Sequence, residues 1–122
     1  MPLLMPTNRE PDVSAPLKPA VFYILLALAE GPTHGYAAMQ AVREQSGGRV
    51  PIGTASFYRH LDKLITDGLV VEAARPADDD PRRGAYYRLT ARGLRALAAE
   101  RTRLARMVAA IDALKPARRG PA

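Results

Sequence analysis

GTASFYRHLDKLITDGLVVE, residues 53–72, is the stretch on which the fold turns. Gly53-Thr54 opens a helix in which Phe57, Leu61, Leu64 and Ile65 recur at i, i+4, i+7 and i+8, the spacing of a core-facing stripe. The same spacing leaves Ser56, Arg59 and Lys63 on the outer face, with His60 at its margin. Asp67-Gly68 ends the helix, and the β-branched run Leu69-Val70-Val71-Glu72-Ala73 then predicts a short strand. One face of this helix is committed to a core and the other is free to meet a partner.

Upstream, His34 and Gly35 open a helix through Gln45, with Tyr36, Met39 and Val42 expected to face inward and Gly47-Gly48 closing it. A further helix starts at Pro19, where proline is tolerated because the first helical N–H needs no partner. It carries Val21, Ile24, Leu25 and Leu28 on one face and is stopped by Gly31 and Pro32. Downstream, the turn-rich run from Pro76 to Gly84 separates the first strand from Tyr86-Tyr87-Arg88-Leu89, so the two strands are expected to form a hairpin. Thr90 is placed to cap a long last helix reaching about Lys115, although Gly93 cannot complete a capping box. The predicted class is mainly α with a small β-hairpin: a winged helix-turn-helix over residues 16–90 and a C-terminal dimerisation helix over 91–115. A flexible proline-bearing arm (1–15) and a basic flexible tail (116–122) flank them.

At 122 residues the chain has room for one domain. It holds no cysteine, which removes disulfides, thiolate metal sites and cysteine nucleophiles, and suits a reducing, cytoplasmic setting. The longest apolar stretch, Ala20 to Ala29, is far shorter than a membrane span, so no membrane partner is expected. The net charge of +6 and a pI near 10.2 favour a polyanionic partner. All of that excess lies beyond Ala91, where eight basic residues face two acidic ones. Specificity must therefore come from where individual charges sit in the first ninety residues, which sum to zero.

A helix pair joined by a glycine-containing turn reads the DNA major groove when its second helix exposes polar side chains. Arg59 suits a two-pronged bond to guanine, and Ser56, near the helix start, a base or a phosphate. Tyr58, His60 and Lys63 suit the phosphate backbone, although a polar outer face also fits a merely solvated helix. Arg82-Arg83 at the hairpin tip are candidates for the minor groove or phosphates. Asp78, Asp79 and Asp80 oppose this unless they point away or pair with Arg75, Arg82 or Arg83, which would leave a self-neutralised loop. On the last helix Leu94, Leu97, Leu104, Val108 and Ile111, flanked by Met107 and Leu114, form a seam expected to pair two chains, its N-terminal half also packing within its own chain. His34 and His60 are the only histidines, and neither a metal site, a cofactor nor a catalytic constellation is expected.

The run Pro19 to Leu28 followed by His34-Gly35-Tyr36 resembles the opening of PadR-family transcriptional regulators. Gly47-Gly48-Arg49-Val50, Ser56-Phe57-Tyr58-Arg59, Leu61, Leu64, Asp67-Gly68-Leu69 and Arg82-Arg83 through Thr90 resemble that family's recognition helix and wing, so the likeness spans about Pro19 to Leu114. It implies a homodimeric winged-helix repressor of the short subfamily, acting on double-stranded DNA, with Tyr58 on phosphate and Arg82-Arg83 as wing contacts. Lys18 departs from the family in standing where a Thr or Ser cap is common, and Thr54-Ala55 replace the usual Pro-Gly; Thr54 is expected to serve as an N-cap. The resemblance further implies release by a small hydrophobic or aromatic effector near the dimer interface. No tryptophan is present to stack one, and the expected pocket lies between the first and last helices around Phe22, Tyr23 and Met107, residues that also suit plain core. The competing reading is a winged-helix protein-interaction or small-molecule-binding module without DNA binding.

Overall fold

The computed structural model describes residues 15–114; the expected arm (1–15) lies outside the described residues except for Ala15, as does the whole expected tail (116–122). The element order is α1 (Pro19–Leu28), β1 (Thr33–His34), α2 (Gly35–Gln45), α3 (Thr54–Thr66), β2 (Val70–Ala73), a single 3₁₀ turn (Pro81–Arg83), β3 (Tyr86–Leu89) and α4 (Ala91–Asp112). This is a winged helix, mostly helical, with an appended long helix.

Three helices pack around one core in which Ile24, Leu25, Val42 and Phe57 are wholly buried, with Leu28, Leu61 and Val70 almost so. Burying each such side chain contributes about 1.5–3 kcal/mol, which holds α1, α2 and α3 to the sheet without any covalent link. Two residues expected in this core lie outside it. Tyr36 is 61% exposed, because the buried face of α2 is Gly35, Ala38, Met39 and Val42, at i, i+3, i+4 and i+7, and Tyr36 falls one position off it. Ile65 is 37% exposed: Leu64 fills the last core position of α3, and Ile65 sits at the stripe's edge one residue before the helix ends.

The sheet has three strands in the order β1-β3-β2, all antiparallel, so the expected hairpin of β2 and β3 gains a third member. In β1, Thr33 pairs with Tyr87 and His34 with Tyr86. Two residues are too few to show alternation, which is why this strand left no sequence signal.

α4 leaves the sheet after one residue. The Thr90 hydroxyl accepts the Gly93 N–H at 3.0 Å and donates to the Gly68 carbonyl at 2.6 Å, while the Thr90 N–H donates to the Leu69 carbonyl at 3.1 Å. Gly93 is needed for more than capping: a Cβ there would collide with the Leu69 carbonyl oxygen. The helix is thus seated directly on the turn between α3 and β2.

Candidate nucleic-acid interface

The entry to α3 is built by side chains of α2. After Gln45 the chain reverses through Gly47 and Gly48, whose φ of 63° and 78° place both in the left-handed region that favours glycine. Ser46 is buried, and its hydroxyl accepts the Val50 N–H at 3.1 Å. Arg43 reaches back from α2, donating from Nε and Nη2 to the Ile52 carbonyl at 3.3 and 3.0 Å. The reversal is therefore fixed at both ends before α3 begins. Thr54 does not cap: Gly53 holds the N-cap position in extended backbone with no side-chain bond, and Thr54 is the first helical residue, exposed to solvent. With Pro-Gly absent, the helix start is defined instead by the Arg43 and Ser46 anchors.

On α3, Phe57, Leu61 and Leu64 face the core, while Thr54, Arg59 and Lys63 are exposed and Ser56 and His60 half-buried. Lys63 Nζ meets Asp67 Oδ2 at 3.3 Å, an exposed pair that contributes little and is readily exchanged for a phosphate. The side chains of Arg59 and His60 have no hydrogen bond or ion pair among the described residues. Tyr58 is placed differently from the others. Its ring stands edge-on to Phe57 at 5.1 Å, and its hydroxyl reaches across to the start of α2, where a Cβ on Gly35 would collide with it, so Tyr58 is tied to α2 while remaining 38% exposed.

The wing pairs its own charges. Asp80 starts the 3₁₀ turn by accepting the Arg82 N–H at 2.9 Å, and its carboxylate also receives Arg82 Nε at 3.2 Å and Nη2 at 3.1 Å. These bonds hold the Asp80 carboxyl below its ordinary value. Asp79 takes Arg83 Nε at 3.3 Å and the Tyr86 hydroxyl at 2.8 Å, and the phenol, donating to a carboxylate, is pushed above its ordinary value. Arg82 and Arg83 are therefore not bare cations, yet their side chains remain 90% and 53% exposed. Pairs this open to solvent are weak and readily exchanged for phosphate.

His34 joins the wing to α2. Its Nδ1 accepts the Ala37 N–H at 3.2 Å and so caps α2, and its ring stands edge-on to Tyr86 at 5.5 Å. A neutral ring with Nδ1 accepting carries its proton on Nε2, so the neighbouring Arg83 Nη1 at 3.3 Å faces a donor and its attraction is to Asp79 instead.

α4 buries only Gly93, Ala96 and Glu100 within its own chain. Leu97 is half-buried and packs on the core, whereas Leu94, Leu104, Met107, Val108, Ile111 and the following Leu114 are 37–63% exposed. An apolar groove of about 620 Å³ runs between α1 and α4, lined by Phe22, Leu26, Leu94, Leu97, Leu104 and Val108 among others. Of the residues expected around an effector, the structure places Phe22 on this groove but not Tyr23 or Met107. Tyr23 lies edge-on to Phe22 at 5.0 Å and packs on the core, while Met107 Sδ receives Arg103 Nη1 at 3.3 Å on the exposed side.

Sequence reasoning missed Arg43, Ser46 and Glu100. Arg43 and Ser46 act through backbone groups of a turn, which no periodicity reveals; Glu100 falls at i+7 from Gly93 on the buried face of α4, a position the spacing does expose. Among the described residues no group of three His, Cys, Asp or Glu could hold a metal ion, and no helix is long and apolar enough to cross a membrane.

Comparison with known proteins agrees with this geometry. The family described as "Transcriptional regulator PadR-like family" matches residues 24–99. A transcriptional regulator from Clostridium thermocellum, Cth-833, shares the fold with a TM-score of 0.60 at 21% identity, over 75% of this chain and 88% of that one. The structure described as the complex structure of hsRosR-S4 has a TM-score of 0.57 at 24% identity, over 83% of this chain and 94% of that one. No curated protein sequence matches.

Proposed function

Because the chain belongs to the PadR-like family of transcriptional regulators, we propose that it is a cytoplasmic homodimeric repressor that reads operator DNA with α3 and is released by a small-molecule effector. The observation that carries this reading is the outer face of α3, where Arg59 and Lys63 stand exposed one turn apart with no core role. Arg59, whose side chain is unpaired among the described residues, takes the base-reading part, with Ser56 and Thr54 at the helix start. Tyr58, His60 and Lys63 contact phosphates. Arg82 and Arg83 exchange their aspartate partners for the DNA backbone beside the wing.

Dimerisation is supported by the placement of apolar surface. Six of the nine large hydrophobic residues exposed among the described residues lie on α4 or at its end, a concentration that isolated surface residues do not show. A second α4 laid along Leu94, Leu97, Leu104, Met107, Val108, Ile111 and Leu114 would cover it. The groove bearing Phe22, with Tyr23 behind it and Met107 beyond, offers a neutral aromatic effector a place beside that contact.

Titration of the protein with labelled genomic fragments, followed by anisotropy at several salt concentrations, tests the reading. A palindromic site bound by two chains, with affinity falling as salt rises, is expected. Absence of any salt-dependent binding at micromolar protein would leave the protein-interaction module as the better account.

A further inference from the structure

A second cavity, of about 420 Å³, opens on the other side of α1, away from the groove that α4 shares with Phe22. Its floor is apolar: Val21, Leu64, Leu69 and Ala96, the last three buried to within a few per cent. Its rim is cationic, with Lys18 from the segment before α1 and Arg59, His60 and Lys63 from α3. The one carboxylate present, Asp67, is already engaged by Lys63. The side chains of Lys18, Arg59 and His60 have no hydrogen bond or ion pair among the described residues.

The wall formed by residues 15–18 is held in place. The Leu17 N–H donates to Glu100 Oε1 at 3.2 Å, and Glu100, 4% exposed, is itself clamped by Arg103. An opening of this size, apolar at the base and carrying at its rim the Lys18 and Arg59 cations, which have no partner among the described residues, matches a ligand with an apolar body and an anionic head.

We propose that this cavity binds a small amphipathic anion, with its body on Val21, Leu64, Leu69 and Ala96 and its head among Lys18, Arg59 and His60, and that occupation withdraws Arg59 and His60 from DNA. The second half rests on α3 being the DNA-reading helix. Such a ligand competes with the operator directly, because the same guanidinium cannot serve a bound anion and a base at once. No change in the dimer is required.

The full chain is titrated with anilinonaphthalene sulfonate and, separately, with uncharged N-phenylnaphthylamine, by fluorescence. Saturable binding of the sulfonate, weakened about fivefold by Lys18→Gln while the uncharged compound is unaffected, is expected. The sulfonate should also raise the apparent dissociation constant for DNA in proportion to its own occupancy. Equal affinity for both compounds, or insensitivity to Lys18→Gln combined with loss in Leu104→Ser, would overturn the assignment, since the probe would then sit in the α1–α4 groove. Failure of the sulfonate to saturate, or binding that weakens as chain concentration rises, would overturn it too, because another part of the chain or a second copy would then fill the cavity. Should DNA fail to bind at all, the reading of α3 falls while the fluorescence titration still decides the cavity.

Discussion

Glu100 Oε1 accepts the backbone N–H of Leu17, eighty-three residues earlier in the chain, and thereby ties the middle of α4 to the segment leading into α1. The same carboxylate is paired with Arg103, 2.5 Å from Nη2. Both bonds favour the charged form and outweigh its desolvation, so the carboxyl titrates below its ordinary 4.5. A group depressed in the folded state contributes stability above its unfolded value and loses it as pH falls through the folded one. Unfolding of the wild-type chain in urea should therefore show stability dropping below about pH 4.5 more steeply than in Glu100→Gln. At neutral pH, Glu100→Ala should cost about 1–3 kcal/mol.

Gly93→Ala tests the seat of α4. The added methyl meets the Leu69 carbonyl oxygen, which is main chain and cannot swing away. Although alanine is the better helix former, the substitution should destabilise by about 1–3 kcal/mol in denaturant titrations. A neutral or stabilising result would mean that α4 does not sit against the α3–β2 turn.

Arg59→Ala and Lys63→Ala should differ in kind. Loss of a base-reading guanidinium costs about 1–3 kcal/mol and relaxes preference at one base pair, whereas loss of a phosphate contact weakens all sequences alike and flattens the salt slope by about one. Binding of a full set of single-base operator variants separates the two. Uniform loss across that set for Arg59→Ala would assign Arg59 to the backbone instead.

Ile111→Asp places a charge near the C-terminal end of the exposed stripe of α4, at a side chain that is 63% exposed. The folded domain should survive, with circular dichroism and melting little changed, and sedimentation should show a monomer whose DNA affinity is greatly reduced. Unaltered sedimentation would move the subunit contact elsewhere.

Asp80→Asn removes the charge that Arg82 now faces. Arg82 then meets DNA without first giving up an ion pair, so affinity should rise about two- to fivefold at low salt. Asp79→Asn should act similarly through Arg83 while also lowering the Tyr86 phenol back toward its ordinary value, which absorbance titration reads directly. Unchanged affinity in both variants would place the wing arginines off the DNA.

Much of this molecule is legible in its residues because the informative ones act at helical spacing. Phe57, Leu61 and Leu64 define the buried stripe of α3, and what they leave outside is the candidate interface. The same rule misplaces Tyr36, because Met39 and Val42 look like its face-mates whereas Gly35 and Ala38, with little hydrophobic weight, mark the true face. Interactions that run from a side chain to a distant backbone group leave no such periodic trace. The Arg43 bonds to Ile52, the Leu17 bond to Glu100 and the pairing of Thr33 with Tyr87 are of that kind. The wing aspartates are intermediate: their capacity to pair with Arg82 and Arg83 is evident from composition, but which carboxylate takes which arginine depends on the turn that Asp80 initiates.

Only Thr90 separates β3 from α4, and its amide and hydroxyl are both held by the Gly68–Leu69 turn. That joint has no slack. In two copies coupled through their last helices, each reading head would swing as a rigid arm with its helix, so the reach between two operator half-sites becomes a matter of how far α4 flexes beyond Leu104. Lengthening this lever by a turn would be expected to change which spacing is recognised, without altering a single side chain that meets a base.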